Sequence, residues 1–244
     1  MPEPITAPDH VPLLSPRFVW KITAVVAVMC LVTLAIAATG RMIGKNISRA
    51  GNTAETTPFE IVIGNDVLSL PANVIRFGSQ RVSGVQNAVD IYFSWPGMQG
   101  YSEATRDIFN QTLSADGLIF ARIAQATMSR DMSGRFKPIY KRLTDGAPVA
   151  GPSGLDSFRL RSGAGYANEL MYVERGVSDQ PYAIRCLVEE AGSEPDLNTR
   201  TGCQRDIAIG QDLSVTYRFS IDLLPHWREI ERDVRNRVES ALIR

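Results

Sequence analysis

The sequence predicts an α+β protein: a single N-terminal transmembrane helix, then a soluble domain of mainly antiparallel β-strands that closes on a C-terminal amphipathic helix. Three observations predict it. Residues 22–40 are a run of 19 uncharged, mostly apolar residues. Residues 155–221 divide into five strand-like segments separated by turn-rich ones. Residues 223–243 repeat apolar side chains every three or four positions.

As a helix rising about 1.5 Å per residue, the apolar run nearly spans a hydrocarbon core of roughly 30 Å. Trp20 and Lys21 precede it and Arg41 and Lys45 follow, residues that anchor a span at both interfaces. The expected organisation is an N-terminal cytoplasmic tail (1–18), a transmembrane helix (19–40), a juxtamembrane linker rich in Gly, Ser, Thr and Asn (41–57), and a soluble extracytoplasmic domain (58–244). A cleaved signal peptide is the rival, because Ala35-Ile36-Ala37 resembles a small-residue cleavage site. The long preceding region with Glu3 and Asp9, and the length of the apolar run, favour a retained anchor.

Flanking charge does not fix the orientation: Arg17 and Lys21 stand before the span, and Arg41, Lys45 and Arg49 after it. Cysteine usage supplies the other argument. Cys30 lies within the span, and the remaining two, Cys186 and Cys203, fall in consecutive strand-like segments where a disulfide can join them. A disulfide places the domain in an oxidising compartment. The expected location is therefore the cell membrane, single-pass, on the pattern of a bacterial inner-membrane protein facing the periplasm.

Hydrophobic residues make up 44% of the chain and charged ones 21%, the balance of a folded protein rather than a disordered one. The 187 residues after Thr57 are enough for a self-sufficient core. Beyond Ala50 there are 21 Lys and Arg against 24 Asp and Glu, which gives no global attraction to nucleic acid.

Along the domain, 59–63 and 67–70 alternate around Gly64-Asn65-Asp66 and predict a hairpin. A strand follows at 89–95, ended by Pro96-Gly97. Residues 102–113 predict a helix with Ser102 as its cap, and 118–126 fits a strand or a helix, with the strand favoured. The Gly- and Pro-rich stretch 146–154 reads as a break within the domain or a boundary between subdomains. Strands are expected at 155–161, 169–175, 182–189, 203–209 and 213–221. The last has Leu213, Val215, Tyr217, Phe219 and Ile221 alternating with Ser214, Thr216, Arg218 and Ser220, so one face is buried and the other wet, as in an antiparallel meander. The closing helix, 223–243, has Asp222 as its cap and Pro225 in its first turn. Its buried stripe is Trp227, Ile230, Val234, Val238, Ala241 and Leu242, with Glu231–Arg235 and Asp233–Arg237 pairs on its wet side.

Catalytic groups are few. The two histidines are His10, in the tail, and His226, which rules out a His-rich zinc site in the domain. No Gly-x-Ser-x-Gly surrounds a serine, and Ser162-Gly163-Ala164-Gly165 reads as a hairpin turn rather than a phosphate loop. No cofactor is expected. Asn46-Ile47-Ser48 and Asn110-Gln111-Thr112 match a glycosylation triplet that matters only in a eukaryotic secretory pathway.

One run is less ordinary. Arg130, Arg135, Lys137, Lys141 and Arg142 fall within thirteen residues, opposed only by Asp131. The candidate binding residues are Arg135, Lys137, Lys141 and Arg142, with Phe136 and Tyr140 supplying apolar contact to an anionic partner. The bland reading is a solvated face. The expected function is a membrane-anchored, non-catalytic binding or assembly module. Its partners are the lipid bilayer, through the helix, and an anionic or protein partner in the envelope; no nucleic acid is expected. The alternative is a membrane-anchored hydrolase acting on an envelope polymer or lipid through paired carboxylates.

Overall fold

The computed structural model describes residues 16–48, 51–110, 116–177, 179–188 and 202–243, and the chain divides into two units, Met1–Ala50 and Gly51–Arg244. The first contains helix α1 (Pro16–Ser48). Within it Arg17–Gly40 is long and apolar enough to cross a membrane, with a mean hydropathy of 2.5. Its apolar side chains are exposed, Leu31, Leu34 and Ile36 each to 66%, an arrangement water disfavours by about 25 cal/mol per Å². The threonines of the run are satisfied within the helix: Thr23, Thr33 and Thr39 donate to the carbonyls of Val19, Met29 and Ala35 at 3.0, 2.8 and 2.8 Å. Such internal bonding is what hydrocarbon surroundings demand of polar groups.

The second unit holds twelve described strands. β1 (Pro58–Ile63) and β2 (Asp66–Pro71) form the expected hairpin with Ile63 opposite Asp66, and β3 (Gly84–Val85) joins β1 in parallel. The larger sheet takes β4 (Ala88–Ser94), β5 (Leu118–Gln125), β6 (Thr144–Ala150), β7 (Leu155–Leu160), β8 (Glu169–Glu174), β9 (Ala183–Leu187), β10 (Cys203–Ile209) and β11 (Leu213–Phe219). Short helices α2 (Arg106–Phe109) and α3 (Met132–Phe136) interrupt this series, and α4 (Trp227–Ala241) and β12 (Leu242–Ile243) follow it. All pairings in the eight-stranded sheet are antiparallel, in the order β4-β5-β11-β10-β9-β8-β7-β6. The meander from β6 to β11 thus folds back until its last strand lies beside β5. The small sheet is ordered β12-β2-β1-β3.

Strand alternation divides the large sheet into two faces. Ile119, Ala121 and Ile123 of β5 and Leu213, Val215, Tyr217 and Phe219 of β11 meet Trp227, Ile230, Val234 and Val238 of α4 and the small sheet in the main core. On the other face Met132, Phe136 and Tyr140 cover Leu160, Met171, Val173 and Ala183 in a second, smaller core.

A polar clamp fixes α4 to the sheet. Arg205 takes an inward position in β10 and is 3% exposed. Its Nε and Nη2 donate to the two carboxylate oxygens of Glu231 at 2.9 and 3.2 Å, and its Nη1 to the carbonyl of Ala183 at 2.7 Å. The Tyr217 hydroxyl donates to the same carboxylate at 2.5 Å, and the guanidinium lies 4.5 Å from the centre of the Tyr182 ring. Burial by itself pushes the Glu231 carboxyl up, but Arg205, Tyr217 and Arg235 together hold it below the ordinary glutamate range.

Four expectations need correction. The helix over 102–113 is reduced, within the described residues, to a turn and α2; Ser102 and Thr105 bond each other's backbone N–H groups at 2.9 and 3.2 Å and close a tight turn instead, and 111–113 lie outside the described residues. The stretch 146–154 contains most of an edge strand rather than a break. β6 pairs with β7 through a register shift between Asp145 and Val149, and Pro148, which has no N–H to give, sits in that irregular stretch. The C-terminal helix begins at Trp227, after a 3₁₀ turn over Ile221–His226 that Ser220, not Asp222, caps. Glu231 faces the clamp rather than water, although it keeps the predicted pairing to Arg235 at 3.3 Å; Asp233 pairs with Arg232 instead of Arg237. An arginine on the apolar side of β10 was the available signal for a buried acid opposite it.

Candidate functional site

The basic run lies where the chain leaves β5 at Gln125 and returns as β6. Asp131 starts α3 by accepting the Gly134 N–H at 3.0 Å. A second turn, Tyr140–Leu143, leads into β6. Met132, Phe136 and Tyr140, four residues apart, turn toward the sheet and are 2%, 6% and 7% exposed. The Phe136 ring packs 5.6 Å from that of Phe158, and the Tyr140 ring 6.4 Å from that of Tyr166.

This placement separates the six candidate residues. Phe136 and Tyr140 are core residues, not surface contacts: a segment this rich in charge needs its few apolar side chains to hold it to the sheet. Arg135 also turns inward, its side chain 13% exposed, and forms an ion pair with Asp206 of β10. Its guanidinium lies 5.9 Å from the Tyr140 ring centre. Lys137, Lys141 and Arg142 stay exposed, as do Arg130 and Ile139, the last to 46%. None of those four cations takes part in an ion pair among the described residues.

Between the inner side of this segment and the strands beneath it lies a cleft of about 280 Å³. Arg130, Asp131, Arg135, Arg185, Gln204 and Asp206 line it, with Ser214 and Thr216 of β11. Burial pushes the Asp206 carboxyl up, against the pull of Arg135. Glu169, ion-paired with Arg185 at 2.8 Å, is pushed up by burial in the same way. The two acids that line the cleft are both engaged, Asp131 in capping α3 and Asp206 with Arg135.

Cys186 and Cys203 stand directly opposite in the β9–β10 register and form the expected disulfide, with an S–S distance of 2.01 Å. The polar segment between their strands, 189–201, lies outside the described residues. His226 is half-exposed, 3.7 Å from the Glu229 carboxylate. Among the described residues no group of three or more His, Cys, Asp or Glu is placed to hold a metal ion.

No protein-family model and no curated protein matches the sequence. Solved structures do resemble it. An immunity protein of the Stenotrophomonas maltophilia type IV secretion system superposes with a TM-score of 0.51 at 17% identity, over 80% of this chain and 96% of that one. The iron-regulated outer membrane lipoprotein FrpD of Neisseria meningitidis gives a TM-score of 0.44 at 15% identity, over 79% of this chain and 97% of that one. At 17% identity the first likeness is one of fold.

Proposed function

We propose that this chain is a membrane-tethered, non-catalytic module that binds an acidic protein partner outside the cytoplasm through the outer side of residues 130–142. The observation that carries the reading is the exposed set Lys137, Lys141 and Arg142 around Ile139, cations outside every ion pair among the described residues, on a segment pinned from beneath by Phe136 and Tyr140. A cationic surface held in one shape steers an anionic partner and orders few side chains on contact. Residues 1–18 form the cytoplasmic tail, 19–40 the span, 41–57 the linker and 58–244 the partner-binding domain in this reading. The disulfide supports an oxidising compartment, and the apolar helix supports the tether. The choice of a protein as partner is motivated by the immunity protein of similar fold. The hydrolase reading has less to stand on, because Asp131 and Asp206 in the cleft are each occupied by a structural bond.

The test is crosslinking in intact cells, comparing the parent with the Lys137→Ser, Lys141→Ser, Arg142→Ser triple variant at low and high salt. Partner capture should fall in the variant and weaken with salt in the parent. Equal capture by both chains rejects this contact surface.

A further inference from the structure

The cleft beneath the basic segment contains one donor that the fold does not match. Arg135 uses Nη2 on Asp206 and Nη1 on the Met128 sulfur, while its Nε–H is buried without a hydrogen-bond partner among the described residues. Leaving a buried charged donor unmatched is costly, so native structures nearly always supply an acceptor. Arg130 stands at the rim of the same cleft, exposed and outside every described ion pair. Gln204, Ser214 and Thr216 line the same cleft. The acids are committed and the donors are in surplus, so the cleft suits an incoming acceptor with negative charge.

We propose that this cleft receives an Asp or Glu side chain of the partner, whose carboxylate pairs with the exposed Arg130 and draws the Arg135 Nε–H, closed off from solvent in the unbound chain, out to meet it. The inference rests on the binding-module reading and locates the partner's anchoring acid. A planar carboxylate matches the guanidinium donors, and a volume of about 280 Å³ holds one acidic side chain with its stem. A protein source is favoured over a free small acid because Arg130, which lines the cleft, and the exposed Lys137, Lys141 and Arg142 belong to one continuous segment that a single partner can engage.

The experiment measures fluorescence anisotropy of a labelled, end-blocked peptide, Gly-Glu-Asp-Glu-Gly, binding to the full chain in detergent micelles. Its Gly-Gln-Asn-Gln-Gly counterpart and unlabelled succinate serve as comparisons. The acidic peptide should bind saturably and the amide peptide should not. Arg130→Gln, a surface change that leaves the fold intact, should weaken binding about tenfold, the loss expected for one charge-assisted bond. Equal binding of both peptides, or no effect of Arg130→Gln, overturns the proposal; succinate outcompeting the peptide at equal concentration overturns the protein source in favour of a small acid. The triple serine variant separates the two readings. If it still captures partner in cells while Arg130→Gln loses the peptide, the outer surface falls and the cleft stands; the reverse pattern rejects the cleft alone.

Discussion

Asp66 and Asp212 hold each other's turns. The Asp66 carboxylate, at the end of the β1–β2 hairpin, accepts the N–H of Gln211 at 2.9 Å and that of Asp212 at 3.2 Å. Asp212, in the β10–β11 turn, accepts the Asn65 N–H at 3.1 Å and the Gln125 side-chain amide at 2.8 Å. The two sheets are thereby latched at one end. Space is tight enough that a Cβ on Gly64 would lie 2.6 Å from an Asp212 oxygen, and one on Gly210 2.7 Å from an Asp66 oxygen, both at positive φ. Asp66→Ala should cost about 1–3 kcal/mol by removing the charge-assisted hydrogen bonds to the Gln211 and Asp212 N–H groups. Urea unfolding followed by tryptophan fluorescence checks it, and an unchanged midpoint removes the latch from the account of stability.

The Arg205–Glu231 clamp gives a pH dependence with a definite sign. Glu231 titrates below its ordinary value when folded, so its contribution is complete above the unfolded value of about 4.3 and is lost as pH falls through the folded one. Asp206 and Glu169, shifted upward, work in the opposite sense and favour the folded state in acid. Glu231→Gln should therefore cost about 3–5 kcal/mol at pH 7, where it leaves Arg205 buried and unpaired, and less as the pH drops toward 3. Stability curves of parent and variant measured from pH 7 to 3 should converge. A constant gap would mean that the charge on Glu231 contributes nothing.

Breaking the disulfide should destabilise the domain without dismantling it. For a sequence separation of 17 the chain-entropy model gives about 3 kcal/mol, the loss expected for the Cys186→Ala, Cys203→Ala pair. Alkylation of denatured protein from the native host should label one thiol, Cys30, before reduction and all three cysteines after it. Three labelled thiols before reduction would place the domain in a reducing compartment.

The apolar helix predicts that the protein stays with membranes through salt and alkaline washing. A reporter fused after Arg244 should be active only outside the cytoplasm. Release into the wash, with a mature chain beginning near Ala38, would make the helix a signal sequence.

What the sequence made legible follows from burial. Strands β10 and β11 put one face in the core and one in water, so their alternation carries the fold directly. β6 is exposed at all but its first residue, so no period marks it. Residues 130–143 bury Phe136 and Tyr140 on turns too short to repeat, and the surrounding charge made both rings look like surface contacts. The partnership of Asp66 with Asp212, two acids far apart in the chain, leaves no local trace in composition.

Both sheets are completed by late segments of the chain. β5 waits for β11, with Gln125 opposite Leu213, and β2 waits for β12, with Val67 opposite Ile243. During synthesis the early hairpins therefore emerge with an unpaired edge that only the last strands can cover. Loop-closure entropy must be met before these pairings form, which makes for slow folding and a long interval in which the nascent chain needs protection from its neighbours. A chain cut short before β11 would lose more than its missing strands: β4 and β5 would be left as a ribbon with no sheet to join.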